Sequence, residues 1–260
     1  MKVIVLGCGT STGVPSIGCR CSVCTSDNPR DHRLRASVWM SWGRRGILVD
    51  SSTDLRHQAL KFQLPRVDAV LYTHSHADHI HGIDELRAYN AIQKSEIPCY
   101  GSARTIAYLG RAFKYIFAPE DNGMTYIPRL VPNVIDGPFS LFGREIIPLP
   151  ASHGPYGPVL GFRVGLFAYL TDVASVPERT LGLMRGLEAL ILDALRPSHH
   201  PAHLTIETAS ELALRIGANR TYFTHMSHDV DYEETNANLP AGVELAYDGL
   251  QLTFQEPGGN

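Results

Sequence analysis

No run of apolar residues in this 260-residue chain approaches the ~20 that a membrane-spanning helix needs. The opening stretch, Met1-Lys2-Val3-Ile4-Val5-Leu6, is apolar but is interrupted at once by Gly7-Cys8-Gly9, so a secretory leader is not expected there. There is no low-complexity tract, charge run or composition break that would mark a linker. Only the tail, Pro257-Gly258-Gly259-Asn260, looks loose. Positive charge is not in excess: 23 Lys and Arg face 26 Asp and Glu, for a net −3 with His neutral. That balance argues against a surface built for long nucleic acid. Cysteine is scarce and odd in number, at five, which speaks against a disulfide framework. Charged residues make up only 19% of the chain and hydrophobic ones 44%, an ordinary globular balance rather than that of a disordered segment. The expectation is a cytoplasmic protein forming a single domain over residues 1–260.

Short β-type runs alternate with helix-like ones. Residues 2–6, 36–42 and 46–50 read as strands, the last two joined by a Gly43-Arg44-Arg45 turn. A helix over 55–62 precedes a strand over 67–73, and helices follow at 83–91 and 105–116. In the second half, strands are expected at 145–149, 161–164, 166–171, 187–194 and 220–224, with helices at 177–185 and 206–216. Strands interleaved with helices predict a layered α/β fold.

Against this ordinary background one segment stands out. His74-Ser75-His76-Ala77-Asp78-His79 puts four metal-ligating side chains within six residues. Imidazole and carboxylate suit borderline divalent ions such as zinc and manganese. The run leaves the strand over 67–73, and a tight loop is expected there, where side chains can converge. Three further candidates also follow strands: His153, Asp172 and His225. This spacing predicts one site along the shared edge of two packed sheets.

His74-x-His76-x-Asp78-His79, followed by His153, Asp172 and His225, resembles the metallo-β-lactamase superfamily over nearly the whole chain. The resemblance implies an αββα four-layer sandwich and two divalent ions, Zn or Mn. It assigns His74, His76 and His153 to one ion, Asp78, His79 and His225 to the other, and Asp172 to both. A hydroxide bridging the ions would be the nucleophile. Asp50, after Ile47-Leu48-Val49, also matches a superfamily position, where it would orient a metal-binding His rather than ligate.

Cys19-x-Cys21-x-x-Cys24 supplies three thiolates, one short of a closed tetrahedral zinc site. The pairing of this run with His228 resembles the PhnP group of cyclic phosphodiesterases, and implies one structural Zn held by Cys19, Cys21, Cys24 and His228. Cys8 and Cys99, each alone in an apolar context, read as buried small hydrophobes.

His203 is the candidate general acid, as its position resembles that of a His in superfamily phosphodiesterases; His199 and His200 compete for the role. Asp78 is also counted as catalytic. Gly7-Cys8-Gly9-Thr10-Ser11-Thr12-Gly13-Val14-Pro15 resembles the glycine-rich loop of the PhnP group and lacks the Gly-Lys-Ser/Thr end of a nucleotide P-loop. Phosphate contact and a purely structural turn both remain open for it. Arg87 is expected to pair with Asp84, and Tyr156 either lines the pocket mouth or faces solvent.

The expected function is two-metal hydrolysis of a small or cyclic phosphodiester, of phosphoribosyl cyclic phosphate or nucleotide type. The alternatives are a thioester or lactone hydrolase of the same fold and a non-catalytic PqqB-like member. The expected partner is the small substrate, with no long nucleic acid and no membrane, and a homodimer is compatible with the sequence.

Overall fold

The computed structural model describes residues 1–118 and 126–255. The loose tail expected at Pro257–Asn260 lies outside the described residues. The chain divides into two compact units. The first comprises Met1–Leu6, Ser37–Asp136 and Gln251–Asn260, the second Gly7–Ala36 and Gly137–Leu250.

The first unit holds a seven-stranded sheet among the described residues. Its strands, numbered along the chain, are β1 (Lys2–Gly7), β2 (Ser37–Trp42), β3 (Arg45–Val49), β4 (Ala69–Leu71), β5 (Ile97–Gly101), β6 (Leu130–Val134) and β14 (Gln251–Thr253), in the order β14-β1-β2-β3-β4-β5-β6. β2 and β3 form an antiparallel hairpin, whereas β3 to β6 run parallel. Parallel strands are covered on both faces, and accordingly β4 and most of β3 are buried throughout. Helices α1 (Leu55–Lys61), α2 (Ala77–Ile80), α3 (Leu86–Gln93), α4 (Ala103–Ala112) and α5 (Lys114–Phe117) fill the connections. Leu48, Val70, Tyr72, Ile80, Leu86 and Leu109 meet in one apolar core.

A second seven-stranded sheet comprises β7 (Phe139–Leu141), β8 (Arg144–Ser152), β9 (Pro158–Val164), β10 (Phe167–Leu170), β11 (Ala189–Asp193), β12 (Arg220–Thr224) and β13 (Val243–Leu245). β7 to β10 form an antiparallel meander. β10 to β13 are parallel, in register through Leu170↔Leu192 and Leu192↔Phe223. Helices α6 (Glu178–Leu183), α7 (Ile206–Ile216) and α8 (Tyr232–Ala237) provide the crossovers. The fold is α/β, as expected, with mixed sheets carrying helices.

α7 and β12 lie where the sequence puts them. α7 has clear punctuation: a Thr205–Thr208 capping box at its start and Gly217 at φ 70° after its end. Other elements differ. The helix expected over 105–116 starts earlier, where the Ser102 hydroxyl accepts from the Thr105 amide, and breaks at Phe113, which leaves the helical basin. β5 and β6 are missing from the sequence reading because Pro98 and Pro132 argue against strands. Pro98 is tolerated because the β4–β5 pairing begins one residue later, at Val70↔Cys99.

Gly82 closes the turn after the histidine run and has no room for a side chain. A Cβ there would sit 2.0 Å from the Ser52 carbonyl oxygen and 2.8 Å from Leu55 Cβ. Gly82→Ala is expected to destabilise the protein by about 1–3 kcal/mol, as overpacking does. Gly137→Ala, with nothing within 4 Å, serves as the neutral control in urea titration.

Candidate metal centre

In the first unit, the chain leaves β4 through Tyr72 and Thr73 and reaches His74. The expected tight loop is in part a one-turn helix. His76 is the N-cap of α2, and Asp78 and His79 lie inside it, so helical pitch folds the run onto itself. Ring centroids of His74 and His76 are 4.5 Å apart, and those of His74 and His79 are 4.3 Å apart. Asp78 Oδ2 lies 3.1 Å from His79 Nε2.

Asp50 organises this cluster from behind. It follows β3 in the left-handed region, at φ 63°, and is fully buried. Its carboxylate accepts from the Thr73 amide (2.8 Å), the Thr73 hydroxyl (2.8 Å) and His79 Nδ1 (2.7 Å). Burial pushes the Asp50 carboxyl up, while the adjacent His79 ring pulls it the other way. Because the Thr73 hydroxyl gives its hydrogen to Asp50, it accepts from His74 Nδ1, 3.0 Å away. Both rings therefore carry hydrogen on Nδ1 and present Nε2 as the lone pair a metal needs.

The second unit gathers His153, Asp172 and His225 after β8, β10 and β12. His225 Nε2 lies 3.3 Å and His153 Nε2 3.7 Å from Asp172 Oδ1. His153 Nδ1 donates to the Ala202 carbonyl (2.8 Å), which again turns Nε2 toward the cluster. Asp172 and His225 have φ of 59° and 63°. With Asp50, they make three of the six non-glycine residues at positive φ among the described residues, a conformation that side chains resist and that clusters at functional sites.

His203 joins this group. Its ring stacks on His225 (4.8 Å, 12°) and meets His153 edge-on (4.8 Å, 75°). Sequence reading missed its partner, Asp193. This residue ends β11, is fully buried, and accepts from the Asp172 amide (3.0 Å), the Leu204 amide (3.1 Å) and His203 Nδ1 (3.1 Å). The signal was a lone carboxylate inside an otherwise apolar buried strand. His199 is exposed, while His200 is half-buried beside His203.

Cys19, Cys21, Cys24 and His228 offer three sulfurs and one nitrogen, all within 4.8 Å of one another. A zinc tetrahedron with ~2.3 Å Zn–S bonds spaces its sulfurs roughly 3.8 Å apart, so the set fits such an ion. His228 Nδ1 is 3.4 Å from Cys19 Sγ and 3.3 Å from Cys21 Sγ. The His228 ring draws the Cys21 thiol down to about 6, and burial pushes Cys24 up to about 11. The fully buried Arg33 side chain clamps the adjoining segment, donating to the carbonyls of Ser227 (2.9 Å) and Val230 (2.6 Å).

Cys8 and Cys99 are buried. The glycine-rich loop gives four of its amides to backbone partners: Gly9 to Leu34, Thr10 to Met226, Gly13 to Thr10 and Val14 to Arg33. A Cβ on Gly7 would meet the Arg35 carbonyl oxygen at 2.2 Å, so close backbone packing accounts for that glycine. Arg87 sits 3.7 Å from Asp84, and exposed Tyr156 has its ring 5.1 Å from that of His153.

A family described as the beta-lactamase superfamily domain matches residues 45–226, and the chain belongs to it. The class is thus a protein of the metallo-β-lactamase fold, a fold that implies divalent metal ions. Within that class the chain is PhnP-like. A solved structure described as a new diphosphatase from the PhnP family is 42% identical, covers 98% of both chains and superposes with a TM-score of 0.91. An octanoyltransferase of Porphyromonas gingivalis is 34% identical over 99% of this chain, which spans only 52% of that relative's length. A coenzyme PQQ synthesis protein B of Methylorubrum extorquens is 35% identical, covering 97% of this chain and 99% of its own.

Asp50→Asn removes the charge that holds His79 and is expected to weaken zinc binding by about 10–100-fold. Calorimetric titration of metal-stripped protein checks this.

Proposed function

We propose that the chain is a two-metal hydrolase of small or cyclic phosphodiesters, with a ribose cyclic phosphate or a short nucleotide as candidate substrate. The observation that carries this reading is His203, stacked on His225 and held by Asp193, beside Asp172. The 42% identity to a PhnP-family diphosphatase supports it. By the superfamily pattern, His74, His76 and His153 are proposed to hold one ion, Asp78, His79 and His225 the other, and Asp172 both. Cys19, Cys21, Cys24 and His228 are proposed to hold a structural zinc.

When bound, a pair of divalent ions draws the pKa of a water toward 7 and offsets charge developing on phosphoryl oxygens. The side chains supply the rest. Asp193 accepts the Nδ1 hydrogen of His203 and fixes its ring, so that Nε2 faces the leaving oxygen and delivers a proton to it. Asp50 does the equivalent for His79, keeping its Nε2 aimed at the cluster. A diphosphate bond and a phosphodiester bond both break at phosphorus, so this donor set serves either.

A second reading, thioester or lactone hydrolysis, draws on the name octanoyltransferase carried by the Porphyromonas relative. A non-catalytic role draws on the PQQ synthesis relative. One experiment separates the three. Zn- or Mn-loaded protein is assayed on bis(p-nitrophenyl) phosphate, with a thioester and a lactone in parallel. Diester cleavage is expected, and Asp172→Ala is expected to abolish it. His203→Ala should slow diesters with alkoxide leaving groups by about 10²–10⁴-fold and the p-nitrophenyl ester far less. Faster thioester or lactone cleavage than diester cleavage would overturn the proposal, as would no turnover at full metal loading. Cys21→Ser is expected to lower bound zinc by about one ion per chain in elemental analysis.

A further inference from the structure

Besides His203, the loop from Arg196 carries His199, which is exposed, and His200, which is half-buried, and the proposed chemistry leaves both without a role. His200 and His203 form an antiparallel bridge across the two-residue turn Pro201-Ala202. Residues directly opposite in such a pair project from the same face. His200 therefore stands on the face from which His203 meets Asp172 and His225, and the two imidazole centroids are 5.1 Å apart.

The ring is also set in one tautomer. The Ala202 amide donates to His200 Nδ1 at 3.2 Å, so Nδ1 is the acceptor and the hydrogen resides on Nε2. Partial burial and the neighbouring His203 and Arg196 hold the ring toward its neutral form. The loop beneath is braced. Arg196 donates to the carbonyls of Ser198 (3.3 Å) and His199 (3.1 Å). Gly154 packs so tightly that a Cβ on it would lie 2.2 Å from the Pro201 carbonyl oxygen. A neutral, oriented N–H donor thus sits beside the proposed general acid.

We propose that His200 is a substrate-contacting specificity residue whose Nε2–H donates to an oxygen on the leaving group. This assignment rests on the phosphoester reading above and deepens it. His203 addresses the leaving oxygen, so a donor on the adjoining ring reaches acceptors one or two bonds beyond. In a P–O–P linkage the leaving oxygen belongs to a phosphoryl group that bears further anionic oxygens at that distance. In an aryl ester the adjoining atom is a ring carbon with no acceptor. In the cleavage, the water oxygen bonds to phosphorus and keeps one hydrogen, and its other proton passes to solvent. The bond from phosphorus to the bridging oxygen breaks, and its electron pair goes to the departing phosphoryl group. That group leaves readily as an anion, since its second pKa is about 6, so hydrogen bonds from His203 and His200 suffice where an alkoxide would need the full proton of His203. The substrate class favoured by His200 is therefore a small diphosphate diester.

The test compares ADP-ribose, which would yield AMP and ribose 5-phosphate, with bis(p-nitrophenyl) phosphate, on metal-loaded wild type, His200→Phe and His200→Gln. Loss of a hydrogen bond to a charged group predicts that His200→Phe lowers kcat/KM for ADP-ribose by about 10–100-fold. The aryl diester should change by less than about threefold, and Gln, which keeps a donor, should recover much of the loss. An equal loss on both substrates, or none on either, would overturn the assignment. Binding of inorganic diphosphate, measured by calorimetry, reads His200 without turnover. About tenfold weaker binding by His200→Phe supports the proposal, and unchanged binding overturns it. Failure of the wild type to cleave either diester would instead refute the phosphoester reading, and so the two failures are distinguishable.

Discussion

Two buried carboxylates at the ends of parallel strands constrain everything around the candidate centre. Asp50 follows β3 and Asp193 ends β11, and both are fully withdrawn from solvent. A carboxylate in that position costs several kcal/mol unless donors surround it. Each finds the same kinds of donor. Asp50 takes a backbone amide from the segment after its parallel neighbour β4, and Asp193 takes one from the segment after β10. Each then takes the Nδ1 hydrogen of a histidine, His79 in one unit and His203 in the other. The third donor is the Thr73 hydroxyl for Asp50 and the Leu204 amide for Asp193.

The consequence is chemical. Once Nδ1 of an imidazole is committed to a carboxylate, Nε2 is the atom left to face the cluster. The same amide that satisfies the carboxylate fixes the course of the backbone carrying the next functional residue. Asp193 binds the amide of Asp172 itself, so the carboxylate orienting His203 also sets the position of the proposed shared ligand. Such a network resists piecemeal change, because removing one acceptor leaves several buried donors unmatched. It also accounts for tolerance of left-handed backbone at Asp50, Asp172 and His225. A conformation costing about 1–3 kcal/mol persists only where its surroundings over-determine it.

Much of this was legible in the sequence, for reasons that differ by residue. The histidine run is legible because four metal-ligating side chains within six positions have no ordinary structural explanation. α7 is legible because cap residues bracket it. Asp193 was not, because a single acidic letter in Ala-Leu-Ile-Leu-Asp reads as the end of a buried strand and nothing local points to His203, ten residues on. β5 and β6 were obscured by prolines whose missing amides fall where the pairing can spare them. The helical placement of Asp78 and His79 was hidden because α2 has only one turn, too short to show a hydrophobic period.

The segment after β12 shows how the second unit divides its labour. His225 faces the candidate centre and His228, three residues on, faces the cysteines. Between them Met226 exchanges backbone hydrogen bonds with Cys8 and Thr10, and Ser227 receives Arg33 on its carbonyl. These anchors lie on the glycine-rich loop and on the stretch after the cysteine run. The glycine-rich loop and the stretch after the cysteine run therefore both hold the segment that carries His225. Under the proposal above, substrate recognition falls to the loop from Arg196 to His203. Its backbone is braced by Arg196, yet its histidines at 199 and 200 reach solvent to differing degrees. Ligand geometry is thus set by buried groups, and under the proposal above substrate choice falls to a partly exposed turn whose Ala202 carbonyl also holds His153.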